Sequence, residues 1–96
     1  MQKYNIRLAN NDFVTVEGSL VKGHKYAPEV TLFVHKAYPN YRGSKNWVVS
    51  ELRTGLSLTY DNTRKGAIAK VENLDVDKNS MLERIDDVVN RYGAAN

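Results

Sequence analysis

Polar and hydrophobic residues alternate along most of the first 60 residues of the chain. The alternation over residues 3–21 is interrupted at residues 10–12 by Asn-Asn-Asp, which suits a tight turn and predicts a β-hairpin. Residues 29–36 alternate again and predict a third strand. A second hairpin is predicted over residues 47–60, where the Thr-Gly step at residues 54–55 supplies the turn.

The hydrophobic spacing becomes helical in the last third of the chain. One helix is predicted over about residues 63–75, with Thr63 as its N-cap. A second is predicted over about residues 80–92, where Ser80 and Glu83 would form a capping box. The hydrophobic stripe of the second helix consists of Leu82, Ile85, Val88, Val89 and Tyr92.

Strands followed by helices predict an α+β fold, with an antiparallel sheet of four to five strands and two helices packed on one face. A chain of 96 residues with 42% hydrophobic residues suits a single domain, so residues 1–96 are expected to fold as one unit. In the second hairpin, the side chains expected to be buried are Trp47, Val49, Leu56, Leu58 and Tyr60.

Residue types exclude several kinds of chemistry. The chain has no cysteine, which excludes disulfides, thiolate zinc sites and a cysteine nucleophile. Neither His24 nor His35 has a carboxylate at metal-ligand spacing, and His35 is interpreted as a surface or sheet-face residue rather than a catalytic base. Asp86 and Asp87 diverge on a helix and cannot act as an acid–base pair. We predict a non-enzymatic protein with no catalytic residues, metal or cofactor.

The charges are distributed unevenly along the chain. The net charge is +3, of which residues 1–65 contribute +5 and residues 66–96 contribute −2. Such asymmetry favours a polyanionic partner for the basic half. The first residues lack the apolar core of a signal peptide, and no apolar run approaches membrane length. We therefore expect a cytoplasmic protein without membrane contact.

Basic and aromatic residues are interleaved in the segment from Lys22 to Lys45. Aromatic rings can stack on bases while ammonium and guanidinium groups contact phosphates. The candidate residues for binding nucleic acid or another partner are Lys22, Lys25, Lys36, Tyr38, Tyr41, Arg42, Lys45, Arg53, Arg64 and Lys65. Two alternatives stay open: a solvated loop whose tyrosines cap the edge of the core, and a contact surface for another protein.

From Tyr41 onward the chain resembles the plant ethylene-response-factor type of DNA-binding domain. The family places a Tyr-Arg-Gly motif, a tryptophan strand and a helix opened by threonine in that order, as do residues 41–43, 47–53 and 63–67. The resemblance implies that a three-stranded sheet lies in the major groove of DNA. The implied contact residues are Arg42, Trp47 and Arg53.

Residues 30–75 also look like small uncharacterised proteins from phages and bacterial mobile elements, which share the tryptophan strand, Thr-Gly turn and Thr-Arg-Lys helix start. This resemblance implies a mobile-element origin and, for a phage protein, a place in the host cytoplasm. We expect a small module that binds nucleic acid or a nucleoprotein through its basic N-terminal half. The alternative is an inhibitor of a host protein, of anti-defence or anti-CRISPR type. Neither hypothesis fixes an oligomeric state.

Overall fold

The computed structural model describes residues 2–38 and 46–96. Five strands form one antiparallel sheet in the order β1-β2-β3-β4-β5, and two helices follow. The elements are β1 (Gln2–Arg7), β2 (Phe13–Val21), β3 (Leu32–Lys36), β4 (Trp47–Glu51), β5 (Ser57–Asp61), α1 (Arg64–Val71) and α2 (Lys78–Tyr92). Both helices pack against the same side of the sheet. The predicted α+β fold is confirmed.

Both predicted hairpin turns are present. Asn11 has φ 66°, a left-handed conformation that asparagine tolerates, and it connects β1 to β2. In the β4–β5 turn, the Glu51 carboxylate accepts hydrogen bonds from the backbone N–H groups of Arg53 and Thr54 at 2.7 and 2.8 Å. Gly55 has φ 72°, and a Cβ there would lie 2.8 Å from a backbone nitrogen of β1. Only glycine fits that position without strain.

The free edge of β1 lies close to the β4–β5 turn, so the sheet curls strongly. The Arg7 N–H donates to the Gly55 carbonyl oxygen at 2.9 Å. The Asn96 side chain accepts from the Asn5 N–H at 2.8 Å and donates to the Leu52 carbonyl oxygen at 2.7 Å. The last residues of the chain therefore bridge β1 and the turn, and they provide hydrogen-bond partners for part of the β1 edge.

The core has two parts, one on each face of the curled sheet. The main part lies under the helices and contains the buried residues Val21, Tyr26, Val30, Leu32, Val34, Val49, Ala67, Val71, Met81 and Ile85. On the other face, Phe33 stacks on Tyr4 with 4.5 Å between ring centroids, beside Ile6. Gly18 leaves room for this packing, because a Cβ there would lie 2.8 Å from the Val34 carbonyl oxygen. Strand β3 is central and buried on both faces.

The helix caps confirm one prediction and correct another. Thr63 caps α1, and its hydroxyl oxygen accepts a hydrogen bond from the Gly66 N–H at 2.9 Å. The predicted capping box of Ser80 and Glu83 is wrong, because α2 begins at Lys78, two residues before Ser80. Its N-cap is Asp77, whose carboxylate accepts from the Ser80 N–H at 2.7 Å. Aspartate and serine are about equally favoured at the N-cap position, so the preference for N-cap residues does not distinguish Asp77 from Ser80.

The predicted burial of the second hairpin is wrong for Tyr60, which is 66% exposed. A register shift between β4 and β5 follows Val49, and Val49 pairs with Thr59. Thr59 is therefore the residue that faces α1, where its hydroxyl donates to the Ala67 carbonyl oxygen at 2.7 Å. Val49 is fully buried as predicted, and Trp47 is half-buried against the main core.

Candidate functional site

One end of the sheet gathers several of the predicted binding residues. Lys36 ends β3 and pairs with Trp47 at the start of β4, which pairs in turn with Asp61 at the end of β5. Helix α1 begins three residues later, so its first turn lies at the same end. We call this region the aromatic end. It consists of Lys36, Tyr38, Trp47, Tyr60, Arg64 and Lys65.

The rings of the aromatic end are accessible and lie beside cations. Tyr38 is 52% exposed, and Trp47 is half-buried. The Lys36 Nζ lies 5.5 Å from the centroid of the Trp47 ring, and the Lys70 Nζ lies 5.8 Å from that of Tyr60. These distances are within the range of cation–π attraction. Ring and charge are thus presented together, as a stacked base and its phosphate would require.

A shallow cleft of about 440 Å³ opens beside the Trp47 ring. Its lining residues are Thr15, Val16, Glu17, Lys36, Ala37, Tyr38 and Trp47. The volume lies within the range of small-molecule sites. The cleft therefore offers an aromatic wall and an ammonium group to one ligand.

The acid nearest to the first turn of α1 is neutralised within the protein. Asp61 forms a salt bridge with Lys70 at 3.1 Å and also accepts hydrogen bonds from Thr63. The hydrogen bond from Lys70, and then the one from the Thr63 backbone, lowers the pKa of Asp61 below its usual value. Asp61 stays ionised but paired, which reduces its repulsion of an approaching anion.

The other candidate residues are not gathered at this end. Lys22 follows β2 and Arg53 follows β4, both at the opposite end of the sheet. Arg53 forms a salt bridge with Asp86 at 2.9 Å. The Lys25 ammonium group donates to backbone carbonyl oxygens just after α1, at Glu72 and Leu74. Tyr41, Arg42 and Lys45 lie outside the described residues.

Sequence reasoning missed a contact between His35 and Ser50, which are 2% and 1% exposed. The Ser50 hydroxyl lies 2.8 Å from His35 Nε2, and the Lys36 carbonyl oxygen lies 2.8 Å from Nδ1. Because a carbonyl only accepts, Nδ1 carries the proton and Nε2 accepts from serine. Burial lowers the pKa of His35, which favours this neutral form.

The distance between Ser50 and His35 is that of a nucleophile and its base. Both side chains are enclosed, however, and the adjoining cavity is only about 140 Å³. The arrangement therefore satisfies two buried polar groups in the core. The interpretation of His35 as a sheet-face residue is confirmed, and a surface position is wrong. Only the strand register, which the residue pattern does not contain, could have identified the pair.

Within residues 2–38 and 46–96, no three side chains of the metal-binding types converge on a common point. No helix in this part of the chain has the length and hydrophobicity needed to cross a bilayer. Comparison with protein-family models, with curated proteins and with solved structures finds no match to the chain.

Proposed function

We propose that this protein is a non-enzymatic module that binds single-stranded nucleic acid through its aromatic end. The observation that carries the proposal is the exposure of Tyr38 beside the half-buried Trp47, with the Lys36 ammonium group near the Trp47 ring. Proteins that bind single strands combine aromatic stacking platforms with a positively charged path for the backbone. The aromatic end has both parts.

The cations of the aromatic end support the proposal, because they offer charge for phosphate contacts. Lys36 lies over Trp47, and Arg64 and Lys65 are exposed in the first turn of α1. That turn contains no acidic residue. The positive end of the helix dipole therefore adds to the charge of these two side chains and favours a phosphate.

Single strands suit this surface better than duplex DNA. In a duplex the bases are already stacked, whereas unpaired bases can lie flat on an aromatic ring. The DNA-binding resemblance would require Trp47 and Arg53 on one contact surface, but they flank opposite ends of β4. Arg53 is also paired with Asp86. These positions favour stacking at the aromatic end over insertion of the sheet into a groove.

The proposal predicts that binding depends on Tyr38 and Lys36 and weakens with salt. Tyr38→Ala should cost about 1–3 kcal/mol of binding free energy, the usual value for one stacked base. Lys36→Gln should lower the salt slope by about 0.7, the contribution of one phosphate contact on a single strand. Fluorescence anisotropy of a labelled single-stranded oligonucleotide, at low and at physiological salt, measures both quantities.

Lys22→Gln is the matched control for the charge, and Tyr92→Ala is the control for the ring, since both residues are exposed and lie away from the aromatic end. Both controls should bind like the wild type. Equal losses in Lys36→Gln and Lys22→Gln would show only a general charge effect. Failure of single strands and duplexes to bind at low salt would contradict the proposal and favour the protein-binding inhibitor instead.

A further inference from the structure

A second cleft lies on the helical side of the sheet, between the β4–β5 hairpin and α2. Its volume is about 440 Å³, within the range of small-molecule sites. The lining residues are Arg7, Glu51, Thr54, Leu56, Ser57, Leu58, Leu74, Val76, Ser80, Met81, Arg84 and Ile85. None of these residues belongs to the aromatic end, so this cleft is a separate site.

Half of the lining is apolar. These side chains are Leu56, Leu58, Leu74, Val76, Met81 and Ile85. They come from the hairpin, from the segment between the helices and from the buried stripe of α2. Val76 is 41% exposed, which is high for an apolar side chain at a cleft wall. A hydrocarbon group that covered this wall would remove its own apolar surface and that of the wall from water, which is favourable.

Arg7 is a buried cationic residue in the lining of this cleft. It is only 9% exposed, its Nε donates to the Thr54 carbonyl oxygen at 2.9 Å, and its Nη2 donates to the Gly93 carbonyl oxygen at 2.7 Å. Arg7 and Thr54 both line the cleft. The buried Nη1 has no hydrogen-bond partner within the described part of the protein. A buried charged donor without an acceptor is costly.

Among the salt bridges of residues 2–38 and 46–96, none involves Arg7. The Glu51 carboxylate, which also lines the cleft, accepts hydrogen bonds from the backbone of Arg53 and Thr54. Phe13 lies against the guanidinium group, with 4.7 Å from Cζ to the ring centroid. A ring face can offset charge but cannot replace a directed acceptor. The exposed Arg84 adds a second positive charge to the cleft.

We propose that the cleft between the β4–β5 hairpin and α2 binds a small amphipathic monocarboxylate. Its carboxylate supplies the missing acceptor for Arg7 Nη1 and faces the charge of Arg84. Its apolar body lies against Leu58, Val76 and the other hydrophobic side chains of the lining. A carboxylate matches the two available donors better than a neutral or cationic head group, because a charge-assisted hydrogen bond is the stronger kind.

Isothermal titration of the full chain with decanoate tests this proposal, with decan-1-ol and decyltrimethylammonium as neutral and cationic comparators. Decanoate should bind saturably at one site, and both comparators should bind at least about tenfold more weakly. Equal binding of decanoate and decan-1-ol would overturn the role of the guanidinium group. Absence of saturable decanoate binding would overturn the site itself.

Val76→Asp places a negative charge in the cleft at an exposed position and should weaken decanoate binding at least about tenfold. Leu20→Asp is the matched control, since Leu20 is similarly exposed on β2 and does not line the cleft. Arg7→Met should abolish binding if circular dichroism shows that it folds. Unchanged binding in Val76→Asp would overturn the proposal even if Arg7→Met does not fold. Oligonucleotide binding of Val76→Asp should match the wild type, which separates this test from the proposed function.

Discussion

His35 and Arg7 both occupy positions that alternate along predicted strands, yet both are buried. A polar residue at an alternating position is usually solvated, and the residue pattern gave no reason to expect otherwise. His35 is enclosed because β3 lies in the centre of a curled sheet. Arg7 is enclosed because the β4–β5 turn and the end of α2 accept its hydrogen bonds. These contacts join residues far apart in sequence, so local patterns cannot predict them.

Burial of His35 makes stability depend on pH in a defined window. Burial lowers its pKa from the ordinary value of 6.5, so the folded state stays neutral where the unfolded state takes up a proton. The free energy of unfolding is therefore greatest above pH 6.5 and decreases as the pH falls through that value. His24, whose pKa burial also lowers, contributes with the same sign.

Urea unfolding at about pH 7.5 and about pH 5.5 checks this prediction. Wild type should lose stability between the two values, and His35→Gln should lose less, because glutamine does not titrate. The comparison is made within each variant, so a general destabilisation by the substitution does not affect it. An equal loss in His35→Gln and wild type would show that His35 does not titrate differently on folding.

At the scale of elements, the two hairpins and two helices follow from periodicity, because alternating and helical spacing identify strands and helices over long segments. The exact ends of these strands and helices do not follow from periodicity. Asp77 and Ser80 are equally good caps, and only the packing of α2 decides that it starts after Asp77. The irregular β4–β5 register likewise exposes Tyr60 and buries Thr59, which simple alternation could not predict.

The packing of α2 predicts unequal effects along its predicted hydrophobic stripe. Ile85 is buried in the main core, whereas Leu82 only borders it. Ile85→Ala should lower the free energy of unfolding by about 2–5 kcal/mol, since it removes buried methyl groups and leaves a cavity. Leu82→Ala should cost less. Chemical denaturation measures both, with the exposed Glu83→Ala as a control expected within about 0.5 kcal/mol of wild type. Equal effects of all three would contradict the assignment of the core.

At the scale of the whole molecule, the antiparallel topology separates residues that are close in sequence. Lys22 follows the end of β2, which pairs with the start of β3, whereas Lys36 lies at the end of β3. These two lysines therefore lie at opposite ends of the sheet. Arg64, far along the chain, lies at the same end of the sheet as Lys36, because Lys36, Trp47 and Asp61 are aligned across β3, β4 and β5. Sequence reasoning identified Lys36, Tyr38, Arg64 and other candidates by residue type. Only the fold determines which of them share a surface.

The fluorescence of Trp47 tests the proposed function most directly, because Trp47 is the only tryptophan in the chain and lies within the aromatic end. Its fluorescence should be quenched saturably when a single-stranded oligothymidine is added at low salt, since a stacked base contacts the ring. Added salt should reverse the quenching. Lys36→Gln should shift the titration to higher oligonucleotide concentration, whereas Lys22→Gln should leave it unchanged. Tryptophan emission that stays constant through a titration in which anisotropy reports binding would contradict the proposed site.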